Sequence, residues 1–409
     1  MLNIIVLAPP KILLQTPSHE WKDAIGSGSV IFSCKSKKSE LEAHFKEAVE
    51  LILFDNFSDN HLVERYALEL AKNINAVNVI ALAEIDLLRA ARIRDKLGIS
   101  SNDEEKLEYY RNKYLMKQRA ASHGLPVADM SLVKSAIGLM EFIDKVGYPV
   151  VVKPVDGRGS NGVSILKDEP DLNQFLQSDS LNIYGEMLSE SFVKGDMYQA
   201  NGFFQNGELV CTSVVKCINS CFEFLNGKSL GLQMLAAENP LRIKITNYAK
   251  HLMTEVLPML DDTLFHLEIF VDNEDEITLC EVGARLGGCV VNEEIRLSYD
   301  IDMRLELIKS MRDRAYRTIG SFQDYKHLVG QLNIPPQAGR LVFIPKECPF
   351  SWVSLYRVNG KEGSVYTDMS FTNAEIVNIL IVADNEKQIE NRFIEVESWF
   401  RETTKYEVI

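Results

Sequence analysis

The first hundred residues alternate between short apolar runs and stretches with helical spacing. Asn3 to Leu7, Leu51 to Asp55 and Val77 to Leu82 are the apolar runs. Ser39 to Glu50, Asn60 to Lys72 and Glu84 to Leu97 place their apolar residues on one helical face. This βαβα pattern predicts a parallel sheet with helices packed on it. The region has no glycine-rich dinucleotide fingerprint, which argues against an NAD-binding domain. A polar break at Ile99 to Glu105 follows.

Beyond the break, a charged helix is predicted from Glu104 to Ser122, stopped by Gly124 and Pro126. A helix over Ser135 to Val146 and a strand over Pro149 to Val155 come next. From there to Val282 the signals are mostly strand, with one helix at Leu241 to Val256. The tail from Arg340 carries strand-like segments and a helix at Glu386 to Thr403. There is no internal repeat and no low-complexity linker.

Composition narrows the partners. The chain is 46% hydrophobic with a formal charge of -14, so it builds a large core and offers no broad basic surface for nucleic acid or anionic membrane. Phosphates would need a local cluster of cations and backbone amides. No apolar run reaches the roughly 18 residues of a membrane helix, and the N-terminus lacks the basic start and cleavage site of a signal peptide. A cytoplasmic location is expected. Cys34, Cys211, Cys217, Cys221, Cys280, Cys289 and Cys348 are scattered without CxxC spacing, which reads as reduced thiols and no zinc site.

The most informative stretch runs from Val150 to Leu166. Gly157, Gly159 and Gly162 match GxGxxG, but Val163 to Leu166 reads as a second strand where a Rossmann loop needs a helix. A strand–glycine loop–strand hairpin instead folds over a nucleotide and offers N–H groups to its phosphates. Lys153 lies inside the apolar strand before the loop and must find an anion or reach water. The alternative is an exposed hairpin with one snorkelling lysine. Gly227-Lys228-Ser229 is not a Walker A loop, because the required upstream glycine is Phe222.

A second constellation spans Leu264 to Gly288. Two apolar runs flank a turn at Asp272 to Asp275, predicting a hairpin. If Val271 faces Glu276, Glu268 and Glu281 share a face as a diagonal pair, with His266 opposite Glu281. Two such carboxylates repel unless a cation lies between them, and Mg²⁺ with substrate phosphates is the usual solution. Arg285 follows, with a fork suited to phosphate or carboxylate, and Gly287 and Gly288 permit close backbone approach. The alternative is a solvated sheet face balanced by Arg285.

Together these residues resemble the ATP-grasp superfamily, nearest its carboxylate–amine (L-amino-acid) ligase branch. The resemblance rests on Lys113 in a helix, the GYPVVVKP strand with its glycine loop, an ESFVKGD hinge, and the HLE and CEVGAR segments, over roughly Glu105 to Leu307. It implies a mixed α/β and α+β ATP-grasp fold. The expected units are an N-terminal Rossmann-like parallel-sheet domain (1–105), a lid subdomain with the glycine loop (106–187), a large subdomain with the Mg²⁺ site (188–321) and a C-terminal antiparallel-sheet accessory subdomain (322–409). Carried over residue by residue, it implies that Lys113 reaches the α-phosphate of ATP and Lys153 the α and β phosphates. Gly157, Gly159, Ser160 and Gly162 would form the closing loop, with Ser160 near the reacting phosphates. Glu190, Ser191, Phe192 and Val193 would read the adenine edge. Glu268 and Glu281 would bind Mg²⁺, with Mn²⁺ as a substitute, and Arg285 would steady the transferred phosphoryl group. Met197 stands where relatives carry a ribose-binding glutamate, leaving Asp196 or Glu190 for that contact. Gly283 replaces the usual asparagine ligand, for which a water or Asn292 would substitute.

The implied reaction joins a small carboxylate to an amine through an acyl phosphate, releasing ADP and phosphate, in dipeptide or specialised-metabolite (antibiotic) biosynthesis. Three rivals stand beside it: loading of an amino acid onto a carrier-protein thiol, a phosphotransferase, and a non-catalytic nucleotide binder. Lys216, Cys217 and Phe222 to Phe224, with strands after Arg340, are expected to border the acceptor pocket. The segment from Leu132 to Gly185 is the expected lid, Cys289 is expected to be a core thiol, and relatives suggest a homodimer.

Overall fold

The computed structural model describes residues 2–46, 49–99, 103–219, 223–224, 226–320, 324–367 and 374–408. Cys221, Phe222 and the boundary near Phe322 lie outside the described residues, as do parts of the predicted 39–50 helix and of the polar break at 99–105. No helix among the described residues is long and apolar enough to cross a membrane.

The predicted parallel sheet is present. Strands β1 (Ile4–Leu7), β2 (Val30–Cys34), β3 (Glu50–Phe54) and β4 (Asn78–Ala81) pair in parallel in the order β3-β2-β1-β4. All four residues of β1 are buried, as expected for a strand covered by helices on both faces. The sequence reading missed β2 and the helix Ser18–Ile25 before it. The predicted 39–50 helix ends at Phe45, because Glu50 already begins β3.

The predicted helix over 104–122 is two helices, Glu104–Glu108 and Lys113–Ser122. Asn112 interrupts it: its Oδ1 accepts from the Tyr114 and Leu115 N–H groups at 3.0 and 3.1 Å. An asparagine N-cap starts a helix more readily than it continues one. Lys113 thereby becomes the first residue of a helix.

Strands β5 (Met130–Val133), β6 (Val150–Pro154), β7 (Ser164–Leu166) and β8 (Met187–Ser191) form an antiparallel sheet in the order β5-β8-β6-β7. It has its own small core, including Leu139, Phe142, Val150, Val152, Leu166 and Phe175. Eight further strands make the large sheet. They come from β9 (Asp196–Gln205), β10 (Glu208–Ile218), β11 (Leu230–Met234), β12 (Thr263–Val271), β13 (Ile277–Gly283), β14 (Leu328–Ile334), β15 (Gly339–Phe343), β16 (Val353–Val358), β17 (Val365–Tyr366), β18 (Val377–Ala383) and β19 (Lys405–Glu407). The large-sheet order is β13-β12-β9-β10-β11-β14-β18-β16, and β17-β15-β19 form a separate small sheet. Three strands of residues 322–409 (β14, β18 and β16) therefore extend the sheet that carries the paired glutamates. The helix Glu386–Thr403 lies where the sequence placed it, burying Ile389, Phe393, Val396 and Phe400 in the core.

The β12–β13 hairpin departs from the expected register. Its turn takes five residues, because the Asp272 N–H donates to the Glu276 carbonyl at 3.2 Å and Asp272 Oδ1 caps the N–H groups of Glu274 and Glu276. Val271 consequently faces Ile277, and a bulge at Cys280 adds one more step. Glu268 then lies directly opposite Glu281, and His266 opposite Gly283. The two carboxylates share a face as expected, but as a direct pair instead of a diagonal one.

Candidate active site

A cavity of about 1280 Å³ opens between the small and large antiparallel sheets. That is larger than the usual single-ligand pocket and leaves room for two molecules. Lys113, Lys153, Glu190, Glu268, Glu281 and Arg285 all line it, as do Gly157, Gly159 and Ser160 of the glycine loop. The loop joins two antiparallel strands, so the hairpin reading holds and the Rossmann one does not. Gly162 lies beneath the loop at φ +74°, where a Cβ would stand 2.9 Å from both Pro154 and Tyr184. Only glycine fits there without displacing its neighbours.

Three carboxylates organise the cations at this end. The first is Glu190. Val151 of β6 pairs with Glu190 of β8, which puts Lys153 diagonally across on the same face. Lys153 Nζ reaches Glu190 Oε2 at 2.7 Å, and Lys117 Nζ grips Oε1. Burial would raise the Glu190 pKa, but the two ammoniums outweigh it and hold the carboxyl at about 2. The lysines diverge: burial pushes Lys117 down, whereas Glu190 outweighs burial at Lys153 and raises it. One carboxylate cannot neutralise both, and Lys153 keeps the firmer charge. The Glu190 side chain is thus committed to lysines, which removes it from the expected ribose contact. Asp196 lines the cavity but is ion-paired with Lys216 at 2.6 Å.

The second carboxylate is Glu281. Lys113 Nζ lies 3.3 Å from its Oε2 and donates to the Gly157 carbonyl at 2.6 Å. The Lys113 N–H also donates to Val155 O at 2.9 Å, tying the helix start to the glycine loop. Opposite, Glu268 Oε1 accepts from Gln199 Nε2 and lies the same distance, 3.2 Å, from His266 Nε2. Burial raises the Glu268 pKa, but the His266 contact and then Arg285 bring it below the ordinary value. The other His266 nitrogen meets Asn201 Oδ1 at 2.9 Å, and that oxygen also accepts the Gly287 N–H at 2.8 Å.

The third is Glu84, just past the C-terminal end of β4, where open parallel sheets generally present ligand contacts. Its Oε2 accepts from Arg285 Nε and Nη2 at 2.9 and 2.7 Å, and its Oε1 from Arg111 Nη1 at 2.5 Å. Against burial, Arg285 and then Arg111 hold Glu84 at about 2. The result is five cations against four carboxylates, a locally positive site on a chain of charge -14.

Glu84, Arg111 and Lys117 were absent from the sequence-level site. Lys117 had a legible signal, since it follows Lys113 by one helical turn on the same face. Glu84 and Arg111 had none, because only the packing of the parallel sheet against the hairpin brings them to Arg285.

Beyond the cations the walls turn apolar. Val151 and Ile165 of the small sheet face the cavity with Phe192, Met197 and Phe270. Ser191, at the end of β8, and Val193, on the link to β9, also line it. Asn292 does not replace the missing ligand at Gly283: its amide donates to Asp302 Oδ2 at 3.0 Å, and it is absent from the cavity wall. Cys217 lines the cavity, Phe224 is core, and among the described residues none beyond Gln331 reaches the wall, so the described strands after Arg340 do not border the pocket. Cys289, expected in the core, lines the cavity; burial, then Glu375, pushes its thiol well above the ordinary value.

Residues 146–293 match the model of the ATP-grasp domain. That stretch is an ATP-grasp domain. An L-amino acid ligase from Bacillus licheniformis has the same fold at a TM-score of 0.77, with 17% identity and coverage of 99% of this chain and 98% of that one. The biotin carboxylase domain of Hydrogenobacter thermophilus 2-oxoglutarate carboxylase, solved as a dimer with MgADP and bicarbonate, matches at 0.71 and 15% identity over 99% and 90%. In sequence, the L-arginine-specific L-amino acid ligase of Bacillus subtilis is 21% identical over 96% of this chain and 95% of its own length. The expected mixed α/β ATP-grasp architecture is therefore the observed one.

Proposed function

We propose that this protein is an ATP-dependent carboxylate–amine ligase. The observation that carries the reading is convergence: the glycine hairpin, the buried lysines, the facing Glu268–Glu281 pair and Arg285 meet around one cavity with room beyond them. The full-length similarity to amino-acid ligases supports the same reaction class.

In this reading the apolar slot of Val151, Ile165, Met197 and Phe270 takes the adenine, and the linker from Glu190 to Val193 offers backbone groups to its edge. Lys113 and Lys153 meet the phosphates under the loop of Gly157, Gly159 and Ser160. Glu268 and Glu281 supply the hard oxygen ligands that suit Mg²⁺ or Mn²⁺, with nucleotide phosphates completing the set. When bound, the cation neutralises phosphate charge. Lys113 would then exchange its contact with Glu281 for a phosphate. Arg285, held by Glu84, would steady the phosphoryl group as it passes to a substrate carboxylate. An amine would then displace phosphate from the acyl phosphate, giving an amide. The sheet β5–β8, spanning 130–191, would close over the site and exclude water.

ADP and phosphate release with Mg²⁺-ATP, screened over the common amino acids singly and in pairs, tests this. Release that requires a particular substrate, with an amide product, and that disappears in Glu281→Ala is the expected outcome. ATP binding without substrate-dependent ADP release would overturn it.

A further inference from the structure

The cavity does not end at Arg285. Past Gly287 and Gly288 it runs on to Gln15, Cys289, Arg304 and Gln331. Arg304 is only 4% exposed. Its Nη1 donates to Gln15 Oε1 at 2.6 Å, and Gln15 Nε2 donates to the Cys289 carbonyl at 2.9 Å. This fastens the guanidinium to the loop that follows Arg285.

The neighbouring charges are already matched: Lys11 with Glu375 at 2.8 Å, and Arg357 with Glu293 at 2.6 Å. Arg304 has no carboxylate within 4.0 Å among the described residues. Burial lowers its pKa below the ordinary arginine value, and the more distant Glu293 and Asp302 do not offset this. Gln331 on β14 is 0% exposed, yet neither its amide oxygen nor its nitrogen has a hydrogen-bond partner. Buried polar groups are paired as a rule, and an unpaired buried guanidinium is more costly still. Two such groups lining the same cavity call for a ligand that supplies what both lack.

We infer that Arg304 and Gln331 bind the carboxylate of an α-amino acid, and that this amino acid is the amine substrate of the proposed ligase. A carboxylate accepts two bonds from a guanidinium fork and a third from Gln331 Nε2. Gln331 Oε1 remains to accept from an N–H of the same molecule, which an α-amino acid carries two bonds away. Lys11 and Arg357 are held by their own carboxylates and leave this role to Arg304. The inference rests on the ligase reading for the word substrate, but the binding site stands on its own geometry.

The test is thermal stabilisation of the whole protein in Mg²⁺-ADP by each common amino acid and by its α-carboxamide. At least one amino acid should raise the melting temperature while its carboxamide does not. Arg304→Met and Gln331→Leu should each weaken amino-acid binding by at least about tenfold while keeping the shift produced by ADP. The Gln331 amide has no partner to lose, so that variant remains a folded probe if Arg304→Met does not. Equal stabilisation by acid and carboxamide, no stabilisation by any amino acid, or undiminished binding in both variants would overturn the site. Loss in Arg304→Met of carboxylate-dependent ADP release that needs no amine would place the guanidinium on the activated carboxylate and overturn the assignment to the amine. Amino-acid binding through Arg304 without amide formation would leave the site standing and remove the ligase reading. Amide formation indifferent to both variants would do the reverse.

Discussion

The two ends of the cavity solve the problem of buried charge in opposite ways. At the glycine-loop end every buried cation has a carboxylate of its own or a share in one: Lys153 and Lys117 in Glu190, Arg285 and Arg111 in Glu84, Lys113 in Glu281. At the far end, among the described residues, Arg304 has no carboxylate within 4.0 Å and the Gln331 amide has no hydrogen-bond partner. The first end is largely compensated by its own carboxylates, so Lys153 and Arg285 are held in place by Glu190 and Glu84 before any phosphate binds. The far end depends on its ligand for compensation. Preorganised cations serve the electrostatics of a transition state, whereas unpaired donors favour selective binding, since an analogue lacking the matching group leaves them unpaired again.

The comparison breaks most visibly at Lys153. Lys153→Met should lower kcat for ADP release by about 10²–10³-fold, measured with saturating substrates; a loss below tenfold would mean that Lys153 is structural. Glu190→Gln comes next, because it leaves two buried ammoniums facing each other without an anion. Unfolding free energy from urea titration should fall by about 3–5 kcal/mol. A neutral result would mean that water reaches the lysines.

A pH dependence follows from the same carboxylates. Glu84 and Glu190 sit at about 2 in the folded chain against an ordinary 4.5. Between those values the unfolded chain binds more protons, so their stabilisation is complete above 4.5 and is lost as pH falls toward 2. Each contributes at most about 3 kcal/mol. Thermal melts of Glu84→Gln between pH 5 and pH 2, each read within about 0.1 pH unit, should show a flatter acid limb than the wild type. The smallest effect has the opposite sign. Gln331→Leu removes an unpaired buried amide and should stabilise the protein without ligand by about 1 kcal/mol, whereas substitutions of paired residues at the other end destabilise it. A destabilised Gln331→Leu would show that the amide is satisfied and would remove the contrast.

What the chain reveals before folding is local. Glycines spaced between two β-branched runs after a lysine specify the hairpin, because turn chemistry and alternation act over a few residues. Glu268 and Glu281 share a face only once a register is assumed: the longer turn alone would have put Glu281 on the other face, and the bulge at Cys280 returned it. Their direct opposition was not legible, since a longer turn and a bulge at Cys280 each moved the register by one, and strand pairing is decided by such single steps. Asn112 shows a middle case: the cap was written in the sequence, but the surrounding charged helical pattern hid it.

Glu84, Arg304 and Gln331 could not be read at all. As a glutamate after a strand, an arginine in a helix and a glutamine in a strand, each has an ordinary surface role as its first explanation. Glu84 meets Arg285 across 201 positions of sequence, and Arg304 meets Gln15 across 289. The sequence alone determined most of the elements, the glycine hairpin with its lysine, and the β12–β13 hairpin that carries both glutamates, because short-range propensity and periodicity govern those. The tertiary structure alone decided which carboxylate compensates which cation and which polar groups go without, because both depend on chain segments that only packing brings within a few ångströms.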